Sequence, residues 1–344
     1  MVQRGQTDRV SDVWGARTPH AADEPWPSRV DQFLLDGYRV AWSPSACVLC
    51  SNGCGLDIAV ADGRIVGVRG RVTDRVNRGR LGPKGLYGWQ GQLRDRLTRP
   101  LIRRNGRLEE ADWDEAMGLV VERSRALLAD KGPLSHAFYT SGQLMLEEYY
   151  TLAVIGKAGL GTPHLDGNTR LCTATAAAAL KETFGADGQP GSYDDVEHCD
   201  ALFSFGHNVA ATQTVLWARM LDRPGADPPR HVTVDPRRTE VARRSDIHLA
   251  IRPGTNLALM NGLLQQQIEH DWVDHDYVRR HTVGYDRLAE VVADYPPRRV
   301  AEFCDVSARD VEAAAEIFGT AERALSTVLQ GFYQAHQATA RPSR

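Results

Sequence analysis

Hydrophobic and polar positions begin to alternate at Gly55. Ile58 and Val60 occupy one arm, Asp62-Gly63 marks a turn, and Ile65, Val66 and Val68 form the other arm, which predicts a β-hairpin. Beyond Asp112 the period changes: Trp113, Ala116, Leu119, Val120 and Leu127 recur at three-to-four spacing and predict a helix. AFYTSGQ reads as a strand ending in a glycine turn, and LEEYYTLAVIGKAGLG as a helix stopped by glycine. Further along, ALFSF, HVTVD and IHLAI are short apolar runs suited to buried strands. The helical segments VAATQTVLWARM and NLALMNGLLQQQIEH follow the first and last of them, with Thr255 expected as N-cap of the latter. Strand, turn and helix in alternation predict an α/β layer with a largely parallel sheet.

Composition sets the scale. A chain of 344 residues, 42% hydrophobic and 25% charged, has room for two or more domains with proper cores. The net charge of −3 gives no general attraction to polyanions, so neither nucleic acid nor membrane is expected as a partner. No apolar run approaches a membrane span. Residues 1–40 are polar and proline-punctuated, without the apolar core of an export signal, and are expected to form a mobile leader. Six cysteines, three of them clustered, suit metal binding better than a disulfide scaffold and point to a reducing, cytoplasmic setting.

The clustered cysteines are Cys47, Cys50 and Cys54 in ACVLCSNGCG. Thiolates at this spacing in a glycine-rich loop converge on a soft metal centre, and the spacing alone suits zinc as well as an iron–sulfur cluster. The downstream stretch NRGRLGPKG, where a fourth ligand is expected, offers Gly82. In the α/β region the turn Gly206-His207-Asn208 and Asp235 fall at strand ends, where helix N-termini meet phosphate and carboxylates meet ribose or base. A lone strand-Gly-helix also occurs in ordinary layers that bind no nucleotide. Cys172 precedes an alanine-rich helical stretch, DGNTRLCTATAAAAL. It reads either as a small buried hydrophobe or as a metal ligand, since thiols at helix N-termini ionise more readily.

Taken in order, the CxxCxxxC loop with its hairpin, NRGRLxxKG, the SGQ turn, DGNxRLC, GSYDDVEHCDALFSFGHN, VDPRR and HLAIRPGTN resemble the molybdopterin oxidoreductases, and within them the assimilatory and periplasmic nitrate reductases. The resemblance runs from about residue 43 to about residue 340. It implies a small β-rich iron–sulfur domain over 41–100, then Rossmann-like α/β layers with mostly parallel sheets. Those layers comprise a first segment of a discontinuous α/β domain at 101–165, a dinucleotide-binding domain at 166–325, and a return to the discontinuous domain at 326–344. It further implies that Cys47, Cys50 and Cys54 hold the cluster, that Lys84 lies between cluster and pterin, and that Cys172 binds molybdenum. Two molybdopterin guanine dinucleotides are expected on Gly206, Asn208, Asp235, Arg237, Gly254 and Thr255, with Gln143 near the metal and Gln330, Gly331 and Gln334 near the second pterin. Arg238 is expected to be solvated, and His207 and Asn256 stand where Ser and Asp are usual.

With Gly82 as the fourth position, the expected cluster is a three-iron form, a form with a non-cysteine fourth ligand such as solvent, or one with a labile site. Formate dehydrogenases place His after their metal-binding residue, whereas Thr173 follows Cys172. Oxygen-atom abstraction from nitrate is therefore favoured over formate oxidation, with electrons passed through the cluster from a ferredoxin, flavodoxin or NADH-linked donor. Members of the resembled family continue well past the match to LQGFYQAHQATA, so the expectation is a truncated form. A non-catalytic iron–sulfur electron-transfer or assembly module is the expected alternative.

Overall fold

The structure is a computed structural model that describes residues 41–91, 95–223 and 227–335. The leader expected over 1–40 and the final residues of the expected 326–344 segment lie outside the described residues.

The first lobe is an antiparallel sheet of β1 (Ala41–Ala46), β2 (Gly55–Ala61) and β3 (Arg64–Gly70), in that order. Asp62 and Gly63 both adopt left-handed backbone, φ 48° and 72°, as the two-residue hairpin turn requires. The register slips between Ala59 and Val60, so Ala59 and Ala61 point inward with Leu56 and Val68, while Ile58 and Val60 are half-buried. Strand β1, AWSPSA, lacks the alternation that would have predicted it, yet it pairs with β2 along its whole length. The cysteine loop is therefore the connection of a second hairpin. Helix α1 (Pro83–Gly91) follows.

Next come the hairpin β4 (Leu101–Arg104) and β5 (Arg107–Glu110), then α2 (Trp113–Lys131). Asp112 caps α2 by accepting the Glu115 N–H at 2.7 Å. No residue of α2 is buried, and Trp113 is 67% exposed. Strand β6 (Phe138–Thr140) pairs in parallel with β7 (Leu165–Gly167). Between them α3 (Leu146–Ala153) continues as a π-helical turn over Val154–Leu160 and stops at Gly161, φ 74°. Helix α4 (Thr169–Phe184) leaves β7.

The main sheet follows α5 (Asp195–His198): β8 (Ala201–Phe205), then α6 (Val209–Thr212) and α7 (Thr214–Leu221), β9 (Arg230–Val234), α8 (Glu240–Arg244) and β10 (Ile247–Leu249). Helices α9 (Asn256–Glu269), α10 (His275–His281), α11 (Tyr285–Val292), α12 (Pro297–Cys304) and α13 (Ala308–Gly319) lead to β11 (Ala324–Val328) and α14 (Gln330–Tyr333). The order is β10-β9-β8-β11, all parallel, and both faces of the sheet are covered. Phe203, Phe205, Val232 and Val234 pack with Leu259, Val300 and Val311 on one side, and Leu202 with Val209, Trp217 and Val241 on the other. The position-two alternation along β8 divides the two cores. Strand β11 crosses residue 325, and β7 crosses residue 165.

VAATQTVLWARM does not form one helix. Gln213, φ −131° and ψ 66°, breaks it into α6 and α7. The break aims residues 213–215 at the first lobe, where Val215 packs with Cys54, Leu56 and Leu81.

An ion network joins the same two parts. The Arg219 side chain, 2% exposed, donates to Glu197 Oε1 at 2.8 Å and to the carbonyls of Arg75 and Val76 at 3.2 Å, while Arg78 lies 2.9 Å from Glu197. Arg80 pairs with Asp222 beside it. Replacing Arg219 by Met leaves Glu197 buried with half its compensation and should cost about 3 kcal/mol. Urea unfolding checks it: R219M/E197Q should recover part of the loss, and equal losses in single and double variants would contradict the pairing.

His231 is buried in β9 with Nε2 3.0 Å from Ser204 Oγ, and burial drives its pKa from the ordinary 6.5 down to about 4 despite the Asp246 carboxylate. The unfolded chain thus takes up a proton between pH 6.5 and 4 that the folded chain refuses. The contribution is whole above pH 6.5 and is lost as pH falls through that window, by about 3 kcal/mol at its foot. Urea midpoints measured at pH 7 and pH 4.5 should fall less in His231→Gln than in the parent, and equal falls would refute the assignment.

Candidate metal and pterin site

Cys47 and Cys54 close the β1–β2 hairpin, with the Cys47 N–H donating to the Cys54 carbonyl at 2.8 Å. Cys54 is buried at 3% exposure, Cys47 and Cys50 are half-buried, and the Asn52 amide donates to Cys54 Sγ at 3.6 Å. Burial pushes the Cys54 thiol up to about 12, against the Asn52 hydrogen bond and with help from Cys47 and Cys50. Burial also raises Cys47, which a backbone hydrogen bond from Leu49 and the Lys84 ammonium partly oppose. Among the described residues no three Cys, His, Asp or Glu groups meet at the spacing of a single ion. Three thiols fit an iron–sulfur cluster apart from its fourth corner, where Gly82 has no side chain.

Lys84 is exposed on α1, next to Gly85, whose missing Cβ would lie 3.5 Å from Cys47 Sγ. Between the loop and the parallel sheet runs a polar chain that the sequence pattern did not reveal. The Gln213 amide donates to Ser51 Oγ at 2.8 Å, and its carbonyl oxygen lies 2.6 Å from His207 Nε2. Burial lowers the His207 pKa, so the ring is neutral and Nε2–H donates to Gln213. Among the described residues, His207 Nδ1 is then a buried acceptor without a partner, and Asn208 Oδ1 is another.

All the predicted dinucleotide residues lie at the C-terminal ends of the parallel strands. Gly206 follows β8 with φ +56°, and a Cβ there would lie 2.5 Å from the Gly331 carbonyl carbon and the Phe332 nitrogen. Two glycine turns thus touch backbone to backbone. Asp235, 6% exposed, follows β9, accepts the Arg237 N–H at 2.8 Å, and leaves the Arg237 guanidinium exposed. Gly254, φ +91°, follows Pro253 in the turn after β10. Thr255 is the N-cap residue of α9 as expected, with its hydroxyl donating to the Arg252 carbonyl at 2.7 Å and accepting no helix N–H. Arg238 is exposed.

Cys172 stands in the first turns of α4, half-buried, and the Gln334 amide donates to its sulfur at 3.0 Å and to its carbonyl at 3.2 Å. Thr175 bonds the Tyr333 carbonyl one turn further on. These contacts bring Cys172 to α14, which carries Gln330 and Gly331. Gln143 is exposed in the turn after β6, and Gly142 N–H donates to Asn168 Oδ1 at 2.8 Å, tying that turn to the start of α4. A cavity of about 370 Å³ opens there, lined by Thr140, Ser141, Asp166 and Thr169 on its polar side and by Tyr149, Leu152 and Leu165 on its apolar side. Strand ends, paired glycines, orphaned acceptors and a half-buried thiol fit a dinucleotide-tailed pterin and a soft metal.

Two family patterns match the chain. The pattern of the molybdopterin oxidoreductase family covers residues 96–339, and that of the molybdopterin oxidoreductase Fe4S4 domain covers residues 40–92. This chain belongs to the molybdopterin oxidoreductase family. It is 38% identical over 299 residues to a nitrate reductase of Symbiobacterium thermophilum, covering 83% of this chain and 40% of that protein. It is 34% identical to the periplasmic nitrate reductase of Desulfovibrio desulfuricans, covering 85% and 40%. An F420-dependent formate dehydrogenase subunit alpha of Methanocaldococcus jannaschii is 31% identical, covering 84% and 42%. In fold, acetylene hydratase from Pelobacter acetylenicus superposes with a TM-score of 0.75 at 24% identity, over 86% of this chain and 41% of that one. The molybdopterin oxidoreductase chain described here thus spans about two fifths of the length of these relatives.

Proposed function

We propose that this chain supplies the cluster and the pterin-binding face of a molybdenum-dependent nitrate reductase that works in a reducing compartment. The observation that carries the reading is Cys172, held by Gln334 beside the Gly206–Gly331 contact and followed by Thr173. Bis-molybdopterin guanine dinucleotide with molybdenum supplies two-electron oxygen-atom transfer when bound.

The residues of this chain hold and orient it. Cys172 offers a soft thiolate to molybdenum, and the Gln334 amide fixes the sulfur's direction. Gly206 and Gly331 let the turn after β8 and the start of α14 pack backbone against backbone, which fixes the position of the segment that carries Gln334. Buried Asp235, Asn208 Oδ1 and His207 Nδ1 present acceptors to the amine and hydroxyl donors of a dinucleotide tail. The Thr173 hydroxyl donates to the Thr169 carbonyl at 3.0 Å inside the helix. An aliphatic hydroxyl is too weak a base to take a proton at neutral pH, as a formate-oxidising site requires. Similarity to nitrate reductases supports nitrate as substrate, and six unpaired cysteines support a reducing compartment. Lys84, whose charge reaches Cys47, would assist electron passage between the cluster and the pterin, and the electrons come from an external donor such as a ferredoxin, flavodoxin or NADH-linked subunit.

In the protein that carries this chain, reduced viologen should drive nitrite formation from nitrate, and formate should not reduce oxidised viologen. The opposite pair of results would replace nitrate by formate.

A further inference from the structure

Gly82 leaves the cluster loop one thiolate short, yet the volume beside it is filled. Leu81 packs with Cys54, the Lys84 charge reaches Cys47, and Gly85 adjoins Cys47 Sγ, so residue 82 stands among the ligands' neighbours. A Cβ built on Gly82 would overlap the Thr214 hydroxyl oxygen, with Thr214 Cβ 3.3 Å and its methyl carbon 3.9 Å away. The hydroxyl, not the methyl, thus points into the space that a cysteine side chain would claim.

The chain places Thr214 there by design of the surrounding segment. The break at Gln213 turns three consecutive residues toward the cysteine loop: Gln213 bonds Ser51, Thr214 fills the space at Gly82, and Val215 packs against Cys54. We propose that the Thr214 oxygen takes the fourth corner of the iron–sulfur cluster in this chain, in place of a cysteine thiolate. The assignment rests on the iron–sulfur reading of Cys47, Cys50 and Cys54. On binding, the hydroxyl gives its proton to solvent and coordinates iron as an alkoxide, with no change in oxidation state, because a bound cation lowers the pKa of an attached oxygen acid. Oxygen is a harder donor than thiolate, so this corner releases its iron first under oxidation.

The test compares the full chain with T214S, T214V and the double variant G82C/T214A, each reconstituted anaerobically with ferrous iron and sulfide. Iron analysis and low-temperature EPR should show a four-iron cluster in the parent and in T214S. T214V, equal in shape but without the oxygen, should retain three irons and show the oxidised three-iron signal. G82C/T214A, in which the new thiol has room, should regain four irons and resist oxidative loss. A T214V sample identical to the parent in iron count and spectrum overturns the Thr214 assignment while leaving the cluster intact. Parent chain that takes up no iron at all overturns the cluster reading and this assignment together.

Discussion

Cys172→Ser should empty the molybdenum site and leave the iron untouched. The thiolate is the one soft donor that α4 presents to the crevice, and serine replaces it with a hard, poorly ionised oxygen at the same position. Cysteine and serine share a shape, the serine hydroxyl can still accept from the Gln334 amide, and the bond of that amide to the residue 172 carbonyl does not involve the sulfur. Molybdenum retained after gel filtration should fall to background in C172S, while iron per chain stays at the parent's value. Gln334→Ala removes the amide that orients the sulfur and should weaken molybdenum retention about 10–100-fold, the usual cost of losing an outer partner. Undiminished molybdenum in C172S would show that another group carries the metal.

Gly206→Ala should be the most damaging single methyl in the parallel sheet. Its backbone, φ +56°, costs an L-residue about 1–2 kcal/mol. The added Cβ would lie 2.5 Å from backbone atoms of Gly331 and Phe332, which cannot rotate away as a side chain could, and overpacking of this kind costs about 1–3 kcal/mol more. Together these lower the thermal midpoint by on the order of 10 °C. Because the same contact joins the turn after β8 to α14, G206A should also loosen Gln334 from Cys172. A midpoint within about 1 °C of the parent would contradict the backbone contact.

Much of this architecture is legible in the amino-acid order because local physics dictates it. Asp62-Gly63 forces a hairpin, and the short β-branched and apolar segments ALFSF, HVTVD and IHLAI, alternating with helical ones, suit parallel strands covered on both faces. Residues at the ends of such strands become candidates by topology alone, and Gly206, Asp235 and Gly254 are all found there. Long-range partners leave no such trace. Gln213 breaks a run that reads as one helix because its side chain is claimed by Ser51 and His207, residues far apart in the chain. Likewise the Thr255 hydroxyl turns back to Arg252 instead of capping α9, a local competition that the N-cap preference does not resolve. Strand β1 is specified by its partner and not by its own pattern, and Arg219 gives no sequence sign that it ties the cysteine lobe to the sheet. Thr214 belongs to the same group. Its relation to Gly82 exists only once the two lobes are packed.

Iron, molybdenum and zinc measured on one anaerobic preparation, made in a host that synthesises the molybdenum cofactor, test the assignment of both metal centres most directly. Iron in several-fold molar excess over molybdenum, with both metals retained through gel filtration, is the predicted result. Zinc on the cysteine loop, with neither iron nor molybdenum bound, would contradict it.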